Sequence, residues 1–294
     1  MGVTNADGPD LHALYTLPVD ADYISPGGIA EIREMHRIRA GEIAHARVPA
    51  GKVSDTAWFD GRTEIFYVHA GRGQMWIDDG TSPLIVDLIP GRSVLVPAGA
   101  RFQYRSGLCD ELTLLLAVLP RWRDSYHRAA TCGPWLPSSG DGAAGPDRSD
   151  PKGPTAGPVV VRELAWVADD AAPDGSEIRL LPWADAGGLC HCLLHPGQRS
   201  RAVAHRTVTE IWFALDGTGE LARWDSGRDE KPAVLPLRHG VSVVIPVCTP
   251  FQFRATGIAP LRLLLLTIPR WPGDEEADRS VGHLDAWLPQ TPGP

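Results

Sequence analysis

Short runs rich in Val, Ile, Leu and Phe recur along the chain, separated by Gly and Pro at close spacing. Runs this short, bounded by turn residues, predict β-strands, because an amphipathic helix needs a longer stretch of 3.6-residue periodicity. Residues 84–88, 93–96 and 112–118 are strands on this reading, as are 233–237, 242–245 and 261–267. Alternation then assigns faces. In Phe251-Gln252-Phe253-Arg254 the aromatic rings take one side and Gln252 and Arg254 the other, and Phe102, Gln103 and Arg105 repeat the arrangement. Helical patterning is weak, with a turn or two expected only between Gly28 and His36. The fold class is all-β, in small sandwiches or barrels.

The strand pattern occurs twice. Thr63-Glu64-Ile65-Phe66 and Thr209-Glu210-Ile211-Trp212 match at an offset of 210 − 64 = 146, which also pairs Glu31-Ile32-Arg33 with Glu177-Ile178-Arg179 and His45 with His191. Downstream the offset is 251 − 102 = 149, pairing Phe102-Gln103 with Phe251-Gln252 and Pro120-Arg121-Trp122 with Pro269-Arg270-Trp271. The added residues fall in a turn around Asp225 to Lys231. Trp135-Leu136-Pro137 finally matches Trp287-Leu288-Pro289, so the correspondence runs through both halves. Residues 138–158, rich in Gly, Pro, Ala and Asp and without apolar periodicity, read as a flexible linker.

Composition narrows the partners. A net charge of −8 with no block of Lys and Arg offers no footprint for phosphates, so neither nucleic acid nor an anionic membrane is expected. No apolar run approaches the ~20 residues that cross a bilayer, and the N-terminus lacks a signal-peptide pattern, so a cytoplasmic location is expected. Five cysteines without C-x-x-C spacing argue against a disulfide framework or a structural zinc site. Gly71-Arg72-Gly73 and Gly217-Thr218-Gly219 lack the third glycine of a dinucleotide fingerprint and open no helix; they are expected to be turns.

The glycine, proline and glutamate spacing of both halves resembles the cupin superfamily, and the whole chain resembles a bicupin. The first cupin motif, G-x5-H-x-H-x3,4-E-x6-G, is matched in the second half by Gly197, Val203-Ala204-His205, Glu210 and Gly217, with only the first His missing. The first half keeps Gly51, Ala57-Trp58-Phe59, Glu64 and Gly71 but loses both His positions. The second motif, G-x5-P-x-G-x2-H-x3-N, reads Gly91, Pro97, Gly99, Phe102 and Ser106, then Gly240, Pro246, Cys248, Phe251 and Ala255. The stretch from Ala202 to Trp212, with Pro250 to Arg254 and Pro269 to Gly273, is similar to a group of small bacterial cupins. The resemblance implies two tandem jelly-roll β-barrel domains, 1–137 and 159–294. A monomer suffices on this reading, because two cupin halves in one chain satisfy an interface that single-domain relatives make as homodimers; a homodimer remains compatible.

Cupins that use a metal take two His and a Glu from the first motif and a His from the second. In the first half Ala57, Phe59 and Phe102 leave only Glu64, so that barrel is expected to be structural. The second half keeps His205 and Glu210, two ligands where a catalytic metal takes about three or four. The cupin frame implies that Cys190, Cys192 and Leu194 face inward and His191 and His195 outward, which makes Cys192 the candidate third ligand if iron, manganese or zinc binds. No cofactor is favoured. The reading preferred here uses His205 and Glu210 as a metal-independent acid and base on a small organic substrate, as in an isomerase, dehydratase or cyclase. Trp212, Phe251 and Phe253 would line the pocket, and Arg201 would meet an acidic group at its mouth. The alternatives are a metal-dependent oxygenase with a degenerate site, a non-catalytic ligand-binding protein, and a vestigial His205–Glu210 pair that is only structural.

Overall fold

The computed structural model describes residues 15–17, 22–25, 28–120, 126–129, 133–138, 157–225 and 231–287. Most of the expected linker, Cys132, Arg121, Trp122, Leu288, Pro289 and the turn at 226–230 lie outside the described residues. The chain forms two compact units. Among the described residues the first holds those from 22 to 164 with 181–189, and the second holds 15–17, 165–180 and those from 190 onward.

Each unit is built from antiparallel sheets. In the first, a seven-stranded sheet runs Val160–Glu163, Arg92–Val96, Thr63–Ala70, Leu112–Leu119, Gly41–Val48, Glu31–Ile38, Tyr23–Ile24. A five-stranded sheet runs Tyr126–Ala129, Thr56–Phe59, Arg101–Ser106, Gly73–Asp78, Leu84–Leu88. A second seven-stranded sheet repeats the order with Tyr15–Thr16, Val241–Ile245, Thr209–Asp216, Leu261–Ile268, Gly187–Leu194, Glu177–Ala184 and Asp170–Ala171. A smaller sheet in the second unit is Ala233–Arg238, Thr218–Arg223, Phe251–Ala255, and Ala204–His205 pairs with Ala277–Asp278. All six strands read from the sequence are present. One face of each strand supplies the core: Phe66 and Val68, Val94 and Val96, Phe102 and Tyr104 in the first unit, and Trp212 and Ala214, Val243 and Ile245, Phe251 and Phe253 at the equivalent places in the second. Burying one such side chain stabilises by roughly 1.5–3 kcal/mol, so period-2 alternation is strongly enforced.

The turn or two of helix expected between Gly28 and His36 is not there. Glu31–Ile38 is a strand, and its register shifts between Glu34 and His36. This bulge inserts an extra residue, so Ile32, Met35 and Ile38 fall at spacings of three that imitate a helix.

A feature with no local signal is the membership of the outermost strands. Tyr15–Thr16 pairs with Ser242 and Val241 in the second unit, whereas Val160–Glu163 pairs with Arg92–Val96 in the first. The two additions end alike, with Leu17 N–H donating to Gly240 O at 3.0 Å and Leu164 N–H to Gly91 O at 2.9 Å.

The glutamines opposite the aromatics are structural, as alternation predicts. Gln103 Nε2 donates to the carbonyls of Ser54 and Trp135, both at 2.8 Å, while Gln252 Nε2 donates to Ser200 O at 3.0 Å and its Oε1 accepts from Ala286 N–H at 3.1 Å. Arg105 stacks on Trp135 and Arg254 on Trp287. No helix among the described residues is long and apolar enough to cross a membrane.

Candidate functional site

In the first unit the strand Thr63–Ala70 carries Glu64 into the barrel, and the turn before it carries Arg62. Positions two apart in an extended chain share a face, and here the Arg62 guanidinium donates to Glu64 Oε1. Both are buried, at 3% and 4% exposure, and Arg62 also lies 3.6 Å over the centre of the Phe59 ring. Burial pushes the Glu64 carboxyl above its ordinary pKa, and Arg62 opposes that shift. Phe59 and Phe102, at two of the positions where the resemblance expects ligands, pack with ring centres 5.4 Å apart, and Phe66 meets Phe102 at 5.5 Å.

The second unit keeps the same frame with different chemistry. Val208 stands where the first half has Arg62, so no arginine neutralises Glu210 from that position. Glu210 Oε2 accepts instead from Trp212 Nε1–H at 2.7 Å, again across two residues of one strand, and lies 4.0 Å from His205 Nδ1. His205 and Glu210 are 4% and 5% exposed. The His205 ring meets Phe251 and Trp271 edge to face, each with centroids 5.1 Å away, and Trp212 meets Phe251 and Phe253 at 5.4 and 5.1 Å. Among the described residues His205 Nδ1 has no hydrogen-bond partner. A buried polar atom left unpaired costs about 1–3 kcal/mol, and this one lies beside a buried carboxyl.

Burial holds the Glu210 carboxyl above its ordinary value, with His205 and the Trp212 N–H pulling the other way. The sign for stability follows. The native state keeps its proton at a pH where the unfolded chain has released it, so stability is full below about pH 4.5 and falls as pH rises through the native value. Glu210→Gln removes that loss while keeping an acceptor for Trp212. Urea unfolding at pH 4, 6 and 8 should show the variant gaining on the wild type as pH rises; a constant difference would contradict the assignment.

The cupin frame places the cysteines correctly, since Cys192 and Leu194 join the core of the second barrel and Cys190 packs against it. Both thiols are pushed up by burial, and Cys192 bonds Ser176. His191, whose position faces the other way, is buried rather than at the surface; desolvation lowers it to about 4, so it is neutral at pH 7. His195 is exposed, with Nε2 2.9 Å from Glu177. Arg199 is held by Asp285 at 2.8 Å, whereas Arg201 is exposed and its backbone N–H donates to Asp174 O at 2.8 Å.

The donor set does not fit the metal that the cupin resemblance implies. Val203 and Phe251 fill two of the four ligand positions, the Cys192 thiol is protonated and engaged, and no three His, Cys, Asp or Glu side chains among the described residues are grouped to hold an ion.

Three residues of the site escaped the sequence reading. Asp174, on the turn before Glu177–Ala184, is buried and held above its ordinary pKa by desolvation, against Ser176, His205 and Arg201. Its Oδ1 accepts from the Ser176 N–H and hydroxyl at 2.8 and 2.7 Å. Trp271 was visible only as part of a repeated Pro-Arg-Trp, and Glu276 follows it in a short 3-10 turn, Asp274–Glu276. Neither Asp174 nor Glu276 falls within a motif, so no spacing signal marks them.

No protein-family model matches the chain, and no curated protein matches its sequence. Solved structures do match its fold. A deletion variant of Bacillus subtilis oxalate decarboxylase superposes with a TM-score of 0.64 at 14% identity, covering 88% of this chain and 77% of that one. A single-substitution variant of the same enzyme gives 0.63 at 14%, covering 88% and 78%. A third structure, concerning the substrate binding mode and reaction specificity of oxalate decarboxylase, gives 0.62 at 13%, covering 87% and 77%. The chain therefore has the bicupin fold, two tandem jelly-roll barrels, at an identity that speaks to fold alone.

Proposed function

We propose that this bicupin is an enzyme that moves protons on a small organic substrate in its second barrel, without a metal, in a reaction of the isomerase, dehydratase or cyclase type. The observation that carries the reading is the contrast between equivalent glutamates. Glu64 is paired with the guanidinium of Arg62, whereas Glu210 faces the imidazole of His205, the side chain most often used as a general acid or base. The first barrel is structural on this reading.

In one turn of the reaction His205 accepts a proton from the substrate through its unpaired Nδ1. Glu210, whose carboxyl desolvation raises above its ordinary value, donates one to the atom that gains charge. Return of the proton from His205 to Glu210, once the 4.0 Å between them closes to hydrogen-bonding distance, resets the pair. Trp212, Phe251 and Phe253 form the apolar wall that excludes water, and Arg201 receives an acidic group of the substrate. A single chain suffices, and no nucleic acid or membrane enters.

The close edge-to-face packing of His205 against Phe251 and Trp271 favours a second reading, a barrel that binds a small ligand without turning it over. One experiment separates the two. In D2O, with a panel of small hydroxy acids, keto acids and sugars, exchange of carbon-bound hydrogen is followed by proton NMR. Acid–base assistance predicts exchange about 10²–10⁴ faster in the wild type than in folded His205→Ala or Glu210→Gln. Equal rates would remove the catalytic reading, and thermal stabilisation by a panel member without exchange would select the binding protein. Elemental analysis of untagged protein completes the test, since about one equivalent of iron, manganese or zinc, lost in both variants, would overturn the metal-independent chemistry.

A further inference from the structure

The backbone around His205 is held from a distant part of the chain. Glu276 is 5% exposed, and its Oε1 accepts from the N–H groups of Thr207 and Val208 at 2.5 and 2.8 Å while its Oε2 accepts from the Thr207 hydroxyl at 2.8 Å. Its own carbonyl accepts from Arg206 N–H at 3.0 Å, and the next residue, Ala277, pairs directly with His205. From the other side, Cys248 N–H donates to His205 O at 2.7 Å.

A base usually has its ring orientation fixed by a hydrogen bond to the nitrogen that does not react. In His205 the reacting nitrogen, Nδ1, has no hydrogen-bond partner among the described residues, and the ring is held in place by its backbone clamp and by two aromatic edges. In the first half, where Phe59 stands at the His205 position, Gly61 stands at the Thr207 position and carries no hydroxyl.

We propose that Glu276 is a positioning residue for His205, a role that rests on the proton-transfer reading above: its carboxylate fixes the 206–208 turn and so selects the imidazole orientation that faces Glu210. Three donors converge on two oxygens, and only a carboxylate accepts from all three. A glutamine could keep both N–H bonds on Oε1 and turn its NH2 to the Thr207 hydroxyl, which can accept, whereas an alanine releases all three donors. Burial by itself raises the Glu276 pKa, but the bonds from Thr207 and Val208, with His205, outweigh it and hold the group below its ordinary value.

The test uses the full chain labelled with 15N-histidine, comparing wild type, Glu276→Ala and Thr207→Val. Ring 15N shifts report tautomer and line shapes report reorientation, neither of which depends on a known substrate. Wild type should give one sharp His205 ring set in a single tautomer. Glu276→Ala should give a broadened or doubled set with mixed tautomers, and a drop of about tenfold in deuterium exchange that appears in kcat and not in KM. Thr207→Val, which leaves the carboxylate and both N–H bonds, should show a smaller change in the same direction and decides the matter if Glu276→Ala does not fold. An unchanged His205 ring set in a folded Glu276→Ala, or in Thr207→Val if that is the variant that folds, overturns the proposal. An altered ring in a protein that exchanges nothing would uphold the positioning and remove the proton-transfer reading instead.

Discussion

Replacing Arg62 with Met should destabilise the first unit by about 3–5 kcal/mol, because it leaves the Glu64 carboxylate buried without its counter-ion. The methionine keeps much of the apolar stem, so lost packing is a minor part of the effect. The charged form bears the cost. Burial already raises Glu64, and without Arg62 its native pKa climbs further, so stability is retained at low pH and lost as pH rises through that value. Urea unfolding of the variant should therefore approach the wild type between pH 8 and pH 5. Adding Glu64→Met should recover most of the loss, since an apolar replacement of a whole buried pair is often neutral or stabilising by about 1–4 kcal/mol. If the double variant were as unstable as the single one, packing against Phe59 and not charge would be what Arg62 supplies.

Alanine at Gly71 should cost more than about 4 kcal/mol, enough to reduce soluble expression, whereas alanine at Gly51 should cost about 1–2 kcal/mol. Both glycines have positive φ, +71° at Gly51 and +76° at Gly71, so both changes strain the backbone. Their surroundings differ. A Cβ at Gly51 meets nothing within 4 Å, while one at Gly71 would lie 1.9 Å from Glu111 O, a backbone atom held in the adjoining strand turn. Gly217, the equivalent in the second unit, would bring its Cβ 2.3 Å from Pro260 O, so Gly217→Ala should behave like Gly71→Ala. Thermal melts of the three variants decide it, and similar losses at Gly51 and Gly71 would show that φ alone sets the cost. This contact explains the repeated Gly-x-Gly: each is a turn where one chain presses on the next.

Much of this was legible in the chain. A duplicated frame of Gly, Pro and Glu positions determined two barrels, because strands buried on one face must alternate and the turns between them need residues that tolerate positive φ. The same alternation put Phe251 and Phe253 inside with Cys192, and set Gln103 and Gln252 to bind backbone on the opposite face. It could also have paired Arg62 with Glu64 and Trp212 with Glu210, since residues two apart on a strand are neighbours. The bulge at Glu34 to His36 defeated it locally by breaking the period.

What only the tertiary structure decided involves contacts between residues far apart in sequence. The placement of Tyr15–Thr16 beside Ser242, of Asp174 beside the His205–Glu210 pair, and of Glu276 under the Thr207 turn leaves no trace in local spacing. Each is fixed by sheet closure, which brings distant segments together after the strands have formed and sets which buried charges meet. The sequence by itself determined the scaffold and the surviving His205 and Glu210. Folding brought Asp174 and Glu276, distant in sequence, to that pair.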